Sequence, residues 1–212
     1  MKQKQIVIVA IAILIGAFIF GGKYYKDSQS SKMSQMATAE REVFTPEYAP
    51  VIGPKEAPVT LVEFYDPACG TCAEFSPLIK DLVKKYDGKL RVVLRYAPLH
   101  QNSDQVVMMV EAAKLQGKYF EAKEALFATQ SLWVENHVSQ PARVWDIFQK
   151  AGIDIGKLQE DVKNPEVYNR VKKDMEDAQK VGATKTPAFY VNGKPLQRFG
   201  YEPLVALIES EM

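Results

Sequence analysis

The pattern of apolar and polar positions predicts an α/β protein. Apolar runs rich in β-branched and aromatic residues predict strands over residues 59–65 and 90–96. Between them, apolar residues recur at helical spacing over residues 69–86, and Asp87-Gly88 ends that helix. A strand, a helix and a second strand in this order predict a parallel pair joined by a crossover.

The middle of the chain, residues 99–182, predicts helices and no convincing strand. Apolar residues recur at helical spacing in each of these helices, and several helices begin at a proline or an N-cap residue. The predicted helices cover residues 103–116, 118–129, 141–152, a short segment after Asp154, and 164–182. Strands are predicted again over residues 188–191 and 195–199, around a strong hairpin turn at Asn192-Gly193. A helix over residues 202–211 completes the order β-α-β, helical block, β-β-α.

A strongly apolar segment precedes this pattern. Residues 6–22 contain only Ile, Val, Ala, Leu, Phe and Gly, a length at the short end for a membrane-spanning helix. Lys2 and Lys4 predict a cytoplasmic N-terminus. The run is followed by Lys-Tyr-Tyr-Lys rather than by a cleavage site of small residues, so we expect an uncleaved anchor instead of a signal peptide. The sequence therefore predicts a cytoplasmic tail and transmembrane signal-anchor over residues 1–22, and a flexible Ser-, Gln- and Lys-rich linker over residues 23–50.

Composition and charge narrow the class of protein. The chain has 212 residues, of which 47% are hydrophobic and 25% charged, as in an ordinary folded protein. A net charge of +1 argues against a nucleic-acid-binding protein. Four lysines and no acid fall within residues 1–26, so this segment carries +4 and the remaining chain −3.

The two cysteines of the chain form the motif Cys69-Gly70-Thr71-Cys72 at the predicted start of a helix. Unpaired N–H groups and the helix dipole at that position favour a thiolate, which lowers the pKa of Cys69. A disulfide across so short a loop removes little chain entropy and stabilises the fold poorly. The motif therefore favours a redox-active pair. A structural disulfide, a zinc half-site and two incidental buried thiols are the alternatives; His100 and His137 lack the spacing of zinc ligands, so no metal is expected.

Further residues give this motif its context. Glu63 lies six residues before the first cysteine, Pro77 lies five residues after the second, and Thr186-Pro187 directly precedes the predicted strand AFYV. With these residues the chain resembles the thioredoxin superfamily, and within it the DsbA-like thiol–disulfide oxidoreductases. The resemblance covers about residues 51–212.

The resemblance implies a fold and a domain organisation. It implies a thioredoxin-like domain built from residues 51–98 and 183–212, interrupted by an inserted helical domain at residues 99–182. Together with the apolar segment, the expected architecture is an α/β thioredoxin-like fold with a helical insertion, preceded by one N-terminal transmembrane helix.

The resemblance also implies a role for each site residue. Cys69 would attack and carry the mixed disulfide, Cys72 would resolve it, and Glu63 would exchange the proton of Cys72. Pro187 would hold Thr186 so that its backbone pairs with an extended substrate. The alternation of the predicted strand also permits Glu63 to be an ordinary outward-facing residue.

The central dipeptide departs from the family pattern. Strong DsbA-type oxidants carry Cys-Pro-His-Cys, whereas this chain has Gly70 and Thr71 at these redox-tuning positions. A threonine offers a hydroxyl where a histidine would stabilise the thiolate. We therefore predict a less acidic first cysteine and a less oxidising disulfide than in the strong oxidants.

The predicted function is thiol–disulfide exchange on cysteine-containing exported proteins, in the oxidative direction, with no cofactor beyond a redox-active Cys69–Cys72 disulfide. A DsbB-like membrane oxidase would regenerate it. One alternative is a reductase or isomerase that a DsbD-like membrane donor keeps reduced; another is a peptide-binding chaperone without turnover. The expected location is the cytoplasmic membrane, spanned once by residues 6–22, with the C-terminal domain on the exported, periplasmic or extracytoplasmic, side.

Overall fold

The computed structural model describes residues 18, 20–33 and 41–212. The strands are β1 (Val51–Ile52), β2 (Val59–Tyr65), β3 (Leu90–Tyr96), β4 (Val134–Glu135), β5 (Val138–Ser139), β6 (Ala188–Val191) and β7 (Lys194–Pro195). The helices are α1 (Arg41–Phe44), α2 (Gly70–Lys85), α3 (Ser103–Leu115), α4 (Tyr119–Ala128), α5 (Gln130–Trp133), α6 (Pro141–Lys150), α7 (Ile155–Asp161), α8 (Pro165–Val181) and α9 (Tyr201–Glu209). Residues 20–33 form a further helix.

A five-stranded mixed sheet in the order β1-β3-β2-β6-β7 forms the centre of the fold. The predicted parallel pair is confirmed: β2 and β3 run side by side from the pair Val59–Leu90 to the pair Tyr65–Tyr96. β6 joins the other side of β2 in the antiparallel direction. Both central strands are mostly apolar on either face because helices cover both sides of the sheet, and each strand carries one buried charged residue, Glu63 or Arg95.

Strand alternation assigns the residues of β2 to two different cores. Leu61 and Tyr65 point to the face on which α2 and α9 pack, and Glu63 shares that face by its position between them. Val62 and Phe64 point to the opposite face, against α8 and residues 43–49. The helix α2, which carries the cysteine motif, packs on the same face of the sheet as Glu63. Glu63 therefore lies beneath the cysteine motif.

Of the flexible linker predicted over residues 23–50, the structure describes residues 23–33 and 41–50. Residues 20–33 are helical, and α1 buries Val43 and Phe44 in the core opposite α2. The Phe44 ring lies 5.1 Å from that of Tyr190, centroid to centroid. The sequence before residue 51 is mostly polar, so its pattern does not predict this short apolar contact. The packed part of the chain begins before residue 51.

Two other details differ from the predicted elements. β7 ends at Pro195, whereas the sequence predicts a strand to residue 199, because Phe199 leaves the sheet and packs on Phe75 with ring centroids 5.0 Å apart. In the middle of the chain, β4 and β5 pair around a tight turn at Asn136-His137, where both residues have positive φ. That region is therefore not helical throughout.

The predicted anchor, residues 6–22, lies mostly outside the described residues. Within residues 18, 20–33 and 41–212, no helix combines the length and the apolar character that a membrane span requires.

Candidate active site

The cysteine motif lies where the chain passes from β2 into α2. Cys69 is the N-cap of α2, with extended backbone angles, and its N–H donates to the carbonyl oxygen of Asp66 at 3.0 Å. The sequence predicts this position at the start of the helix. The first N–H groups of α2 therefore point toward the Cys69 sulfur.

The carboxylate of Asp66 braces the loop that presents Cys69. Its two oxygens accept hydrogen bonds from the backbone N–H groups of Ala68 at 2.9 Å, Leu99 at 2.7 Å and His100 at 2.8 Å. The Nδ1 atom of His100 lies 2.8 Å from the same carboxylate, and the hydroxyl of Ser103 also donates to it. Sequence reasoning missed Asp66, for which the signal was a polar residue directly after a buried strand.

A side chain from the helical region also contacts this loop. The amide nitrogen of Gln130 donates to the carbonyl oxygens of Pro67 at 2.7 Å and Cys69 at 3.0 Å. Nothing in the sequence pattern singles out Gln130. The loop carrying the first cysteine is therefore held from both sides, by Asp66 and by the start of α5.

The two cysteines are free thiols with unequal burial. Cys72 is fully buried, whereas Cys69 keeps 7% of its surface exposed. The Cys69 thiol donates to the carbonyl oxygen of Thr186, with 3.2 Å between sulfur and oxygen. The peptide bond between Thr186 and Pro187 is cis. The structure thus brings together four predicted site residues, Cys69, Cys72, Thr186 and Pro187.

Hydrogen bonds lower the pKa of Cys69 from 9.0 to about 5. The largest contribution is the hydrogen bond from the Cys72 thiol, and burial works against it. The Thr186 side chain and the backbone N–H groups of Thr71 and Cys72 lower the pKa further. Since the thiolate is the nucleophilic form, Cys69 is reactive at neutral pH.

The pKa of Cys72 shifts in the opposite direction. Burial raises it well above the usual range, and the hydrogen bond with Cys69 and the charge of Glu63 raise it further. Cys72 is therefore a protonated thiol at neutral pH and needs a proton acceptor before it can attack.

Glu63 is the buried acid of the site. It is 1% exposed, so the alternative of an outward-facing strand residue is wrong. Burial raises its pKa from 4.5 to about 7, the charge of Lys123 lowers it, and the proximity of Cys69 raises it. Among the described residues, neither of its carboxyl oxygens has a hydrogen-bond partner. Such a carboxyl can change protonation state near neutral pH.

A groove of about 500 Å³ opens beside the dithiol. Its walls include Thr71 from α2, Pro187 and Phe189 around β6, and the exposed ring of Phe199. An apolar groove next to a backbone carbonyl can accept an extended peptide. Across residues 18, 20–33 and 41–212, no group of three or more His, Cys, Asp or Glu side chains converges on a site of metal size.

A mixed sheet, a dithiol at the start of α2 and a facing cis-proline define the class as thioredoxin-like. The family model described as "Thioredoxin" matches residues 45–210, and the chain belongs to this family.

Solved structures agree with this assignment. A thioredoxin-like oxidoreductase from Silicibacter pomeroyi DSS-3 is 31% identical, with a TM-score of 0.68 over 80% of this chain and 95% of that chain. The thiol-disulfide exchange protein α-DsbA2 from Wolbachia pipientis is 18% identical and shares the fold, with a TM-score of 0.72 over 87% of this chain and 98% of that chain.

Curated relatives carry a different name. The Na(+)/H(+) antiporter NhaA of Herminiimonas arsenicoxydans is 29% identical over 192 residues, which cover 91% of this chain and 30% of the antiporter. The chain spans less than a third of the length of the curated relatives it matches.

Proposed function

We propose that this protein exchanges disulfides with cysteine-containing exported proteins, acting as a DsbA-like oxidase through Cys69 and Cys72. The observation that carries this proposal is the inequality of the two thiols. One has a pKa near 5 and reaches the surface, and the other is buried and protonated. A thiol pair arranged in this way performs exchange in two ordered steps.

In the oxidative direction, a substrate thiolate attacks the Cys69 sulfur of the Cys69–Cys72 disulfide. The sulfur–sulfur bond of the protein breaks, a mixed disulfide forms between the substrate and Cys69, and Cys72 leaves as a thiolate that takes a proton. A second substrate thiolate then attacks the substrate sulfur of the mixed disulfide. The substrate leaves with its own disulfide, and Cys69 leaves as the stabilised thiolate.

Glu63 supplies and removes the proton of Cys72 in this scheme. Its pKa near 7 lets it donate to the Cys72 thiolate when the disulfide opens and accept from the thiol when it closes. Its two unpaired oxygens support this role, because no hydrogen bond in the described part of the chain holds the carboxyl in one state.

The backbone of Thr186 and the groove beside Pro187 would bind the substrate as an extended segment. The Thr186 carbonyl oxygen lies 3.2 Å from the Cys69 sulfur, so a strand paired there places its cysteine next to the reactive sulfur. Gly70 and Thr71 would tune the redox potential through the N–H groups and the hydroxyl of the first turn.

The cellular setting completes the proposal. Residues 6–22 would anchor the protein in the cytoplasmic membrane, with the C-terminal domain on the exported side and a DsbB-like membrane oxidase as its electron acceptor. Residues 99–182 would form an inserted helical domain between the two parts of the thioredoxin-like domain, residues 51–98 and 183–212. The low pKa of Cys69 supports the oxidative direction, since a stabilised thiolate favours reduction of the disulfide. The antiporter relatives support no proposal of ion transport, because the chain covers so little of them.

Two variants test the proposal in cells. Cys72→Ser should trap mixed disulfides through Cys69 that separate from free protein on a non-reducing gel, and Cys69→Ser should trap none. Thiol trapping of the unaltered protein should find the pair mostly oxidised. A mostly reduced pair would favour a reductase or isomerase with a DsbD-like donor. Unchanged function of Cys69→Ser would contradict exchange and favour a peptide-binding chaperone.

A further inference from the structure

Lys123 is a lysine buried in the core beside the dithiol. Its side chain is 2% exposed, and it lies on α4, which packs against the cysteine-bearing helix α2. Burial of an ammonium group is unfavourable unless the group is paired and hydrogen-bonded. The position of this lysine therefore needs a compensating environment, which its contacts supply.

The contacts of Lys123 place its ammonium group on the Cys72 side of α2. Its Nζ atom donates to the hydroxyl of Ser76 at 2.8 Å, and Ser76 follows Cys72 by four residues, on the same face of the helix. The ammonium also lies 5.5 Å from the ring centre of Tyr65 and 4.6 Å from that of Phe127. These rings keep water away from the group on the side of the sheet.

Two carboxylates share the charge of Lys123. Toward the surface, an oxygen of Glu124 lies 3.9 Å away, while the other oxygen of Glu124 pairs with Lys80 at 2.7 Å. Toward the interior, burial lowers the pKa of Lys123, and the charge of Glu63 is the largest effect that raises it. Tyr65, whose ring centre lies 5.5 Å from the ammonium, follows Glu63 by two residues on β2 and faces the same side of the sheet, so the buried acid lies on this inner side of Lys123 and Glu124 on the outer side.

We propose that Lys123 is a positioning residue of the redox centre, whose ammonium group stabilises ionised Glu63 and so keeps a proton acceptor available to Cys72. This inference rests on the proposed exchange reaction. Lys123 belongs to α4, in the mainly helical segment of the chain between β3 and β6. This helical region therefore contributes a charge to the chemistry of the dithiol. The register partner of Glu63 on the neighbouring strand is the apolar Leu94, which provides no charge.

The step that Lys123 assists is the resolution of the mixed disulfide. Glu63 accepts the proton of Cys72, and the new thiolate attacks the Cys69 sulfur. The bond from Cys69 to the partner sulfur breaks, and the partner leaves as a thiolate. The titratable groups around Glu63 are Cys69 and Cys72 on α2, Lys123 and Tyr119 on α4, and Tyr65 on its own strand.

The test compares Lys123→Met with Lys118→Met, a matched control near the start of the same helix that removes a more exposed ammonium, 39% accessible and paired with Glu121. Reduced protein is mixed with oxidised glutathione in a stopped-flow instrument at pH 5 to 10. The first phase reports attack by Cys69, and the second reports resolution by Cys72. For Lys123→Met we expect the pH midpoint of the second phase to rise by about one unit, with a rate about tenfold lower at pH 6. The first phase should change less than twofold.

Lys118→Met should leave both phases unchanged, and Lys123→Arg, which keeps the charge, should keep the original midpoint. An unchanged midpoint in folded Lys123→Met would overturn the inference. If that variant does not fold, carbon-13 NMR of the Glu63 carboxyl in the unaltered protein decides instead. Titration below about pH 8 supports the stabilising charge, and titration at or above that pH overturns it. Failure of the exchange proposal itself is distinct, because the unaltered protein would then show neither phase.

Discussion

Two buried groups of charges lie on opposite faces of the sheet, and they are built differently. On the face of α8, the Arg95 guanidinium donates to Asp174 at 2.9 Å and to Asp177 at 2.7 Å. On the face of α2, Lys123 donates to a serine hydroxyl, and Glu63 has no hydrogen-bond partner among the described residues. Both groups are almost fully shielded from solvent.

The difference separates a structural charge cluster from a reactive one. Burial opposes the charge of Arg95, but the charge of Asp174 and the hydrogen bonds to Asp174 and Asp177 raise the pKa of Arg95, so the guanidinium keeps its charge. The Arg95 cluster joins β3 to α8, and through the hydroxyl of Tyr48, 2.7 Å from Asp174, to the segment before β1. A carboxyl without such bonds can gain or lose a proton at small cost, as a proton-transfer group must.

Breaking the structural cluster should have the largest effect. Arg95→Met removes the cation, so that buried Asp174 loses its ion pair and Asp177 keeps only its pair with Lys173. We expect the free energy of unfolding to fall by about 3–5 kcal/mol, measured by urea denaturation at pH 7. Arg95→Lys, which keeps the charge but loses the forked geometry, should lose less. A loss below about 1 kcal/mol for Arg95→Met would show that the two clusters do not differ as argued.

Removing the reactive carboxyl should alter the pH dependence of stability. Glu63 has a folded pKa of about 7 against 4.5 for an unperturbed carboxyl. The folded state therefore binds the proton more tightly, so its contribution is complete below pH 4.5 and is lost as the pH rises to about 7. We expect the unaltered protein to lose about 3 kcal/mol more than Glu63→Gln across this interval.

Urea denaturation of both proteins at a series of pH values measures this difference. The comparison uses the slope with pH and not the absolute stability, because Glu63→Gln also leaves Lys123 without its inner carboxylate. Parallel pH profiles of the two proteins would mean that Glu63 does not titrate near neutrality, which would remove the basis for its role.

A smaller effect should follow from strengthening the thiolate. Thr71→His places a cationic donor in the first turn of α2, next to Cys69. A fall of about one unit in the pKa of Cys69 corresponds to a rise of about 30 mV in the reduction potential. Equilibration with glutathione buffers measures this potential, and Thr71→Ala is the control. An unchanged or lower potential would refute the interpretation of Gly70-Thr71 as a weakly oxidising pair.

Removal of an exposed charge should have the smallest effect on the free energy of unfolding. Lys172 and Glu176 form an exposed pair at 3.8 Å on α8, the same helix that supplies two acids to the Arg95 cluster. We expect Lys172→Met to change the free energy of unfolding by less than about 0.5 kcal/mol. A larger loss would mean that the helix, and not burial of its charges, determines the effect of Arg95→Met.

Much of the fold follows from local signals in the sequence. The bounds of β2 and β3 match the predicted runs, because a strand buried on both faces is almost continuously apolar. α8 begins after Asn164 and ends before Gly182, as the N-cap and the left-handed glycine indicate. The dithiol could also be predicted from the sequence, because its chemistry resides in a four-residue motif.

The buried charges could not be predicted in this way. Lys123 and Arg95 are polar residues in periodic segments, so pattern analysis assigns them to solvent. Their partners are distant in sequence: Ser76 is 47 residues from Lys123, and Asp174 is 79 residues from Arg95. Only the assembled tertiary structure brings these groups together and excludes water from them.

The central claim is that the two cysteines of one motif differ in acidity, and their alkylation as a function of pH tests it most directly. Reduced protein is treated briefly with iodoacetamide at pH 3 to 10, and mass spectrometry quantifies each modified cysteine. We expect Cys69 to react with a midpoint near pH 5 and Cys72 to stay unmodified beyond pH 9. Equal reaction of both thiols with a shared midpoint near pH 9 would contradict the account.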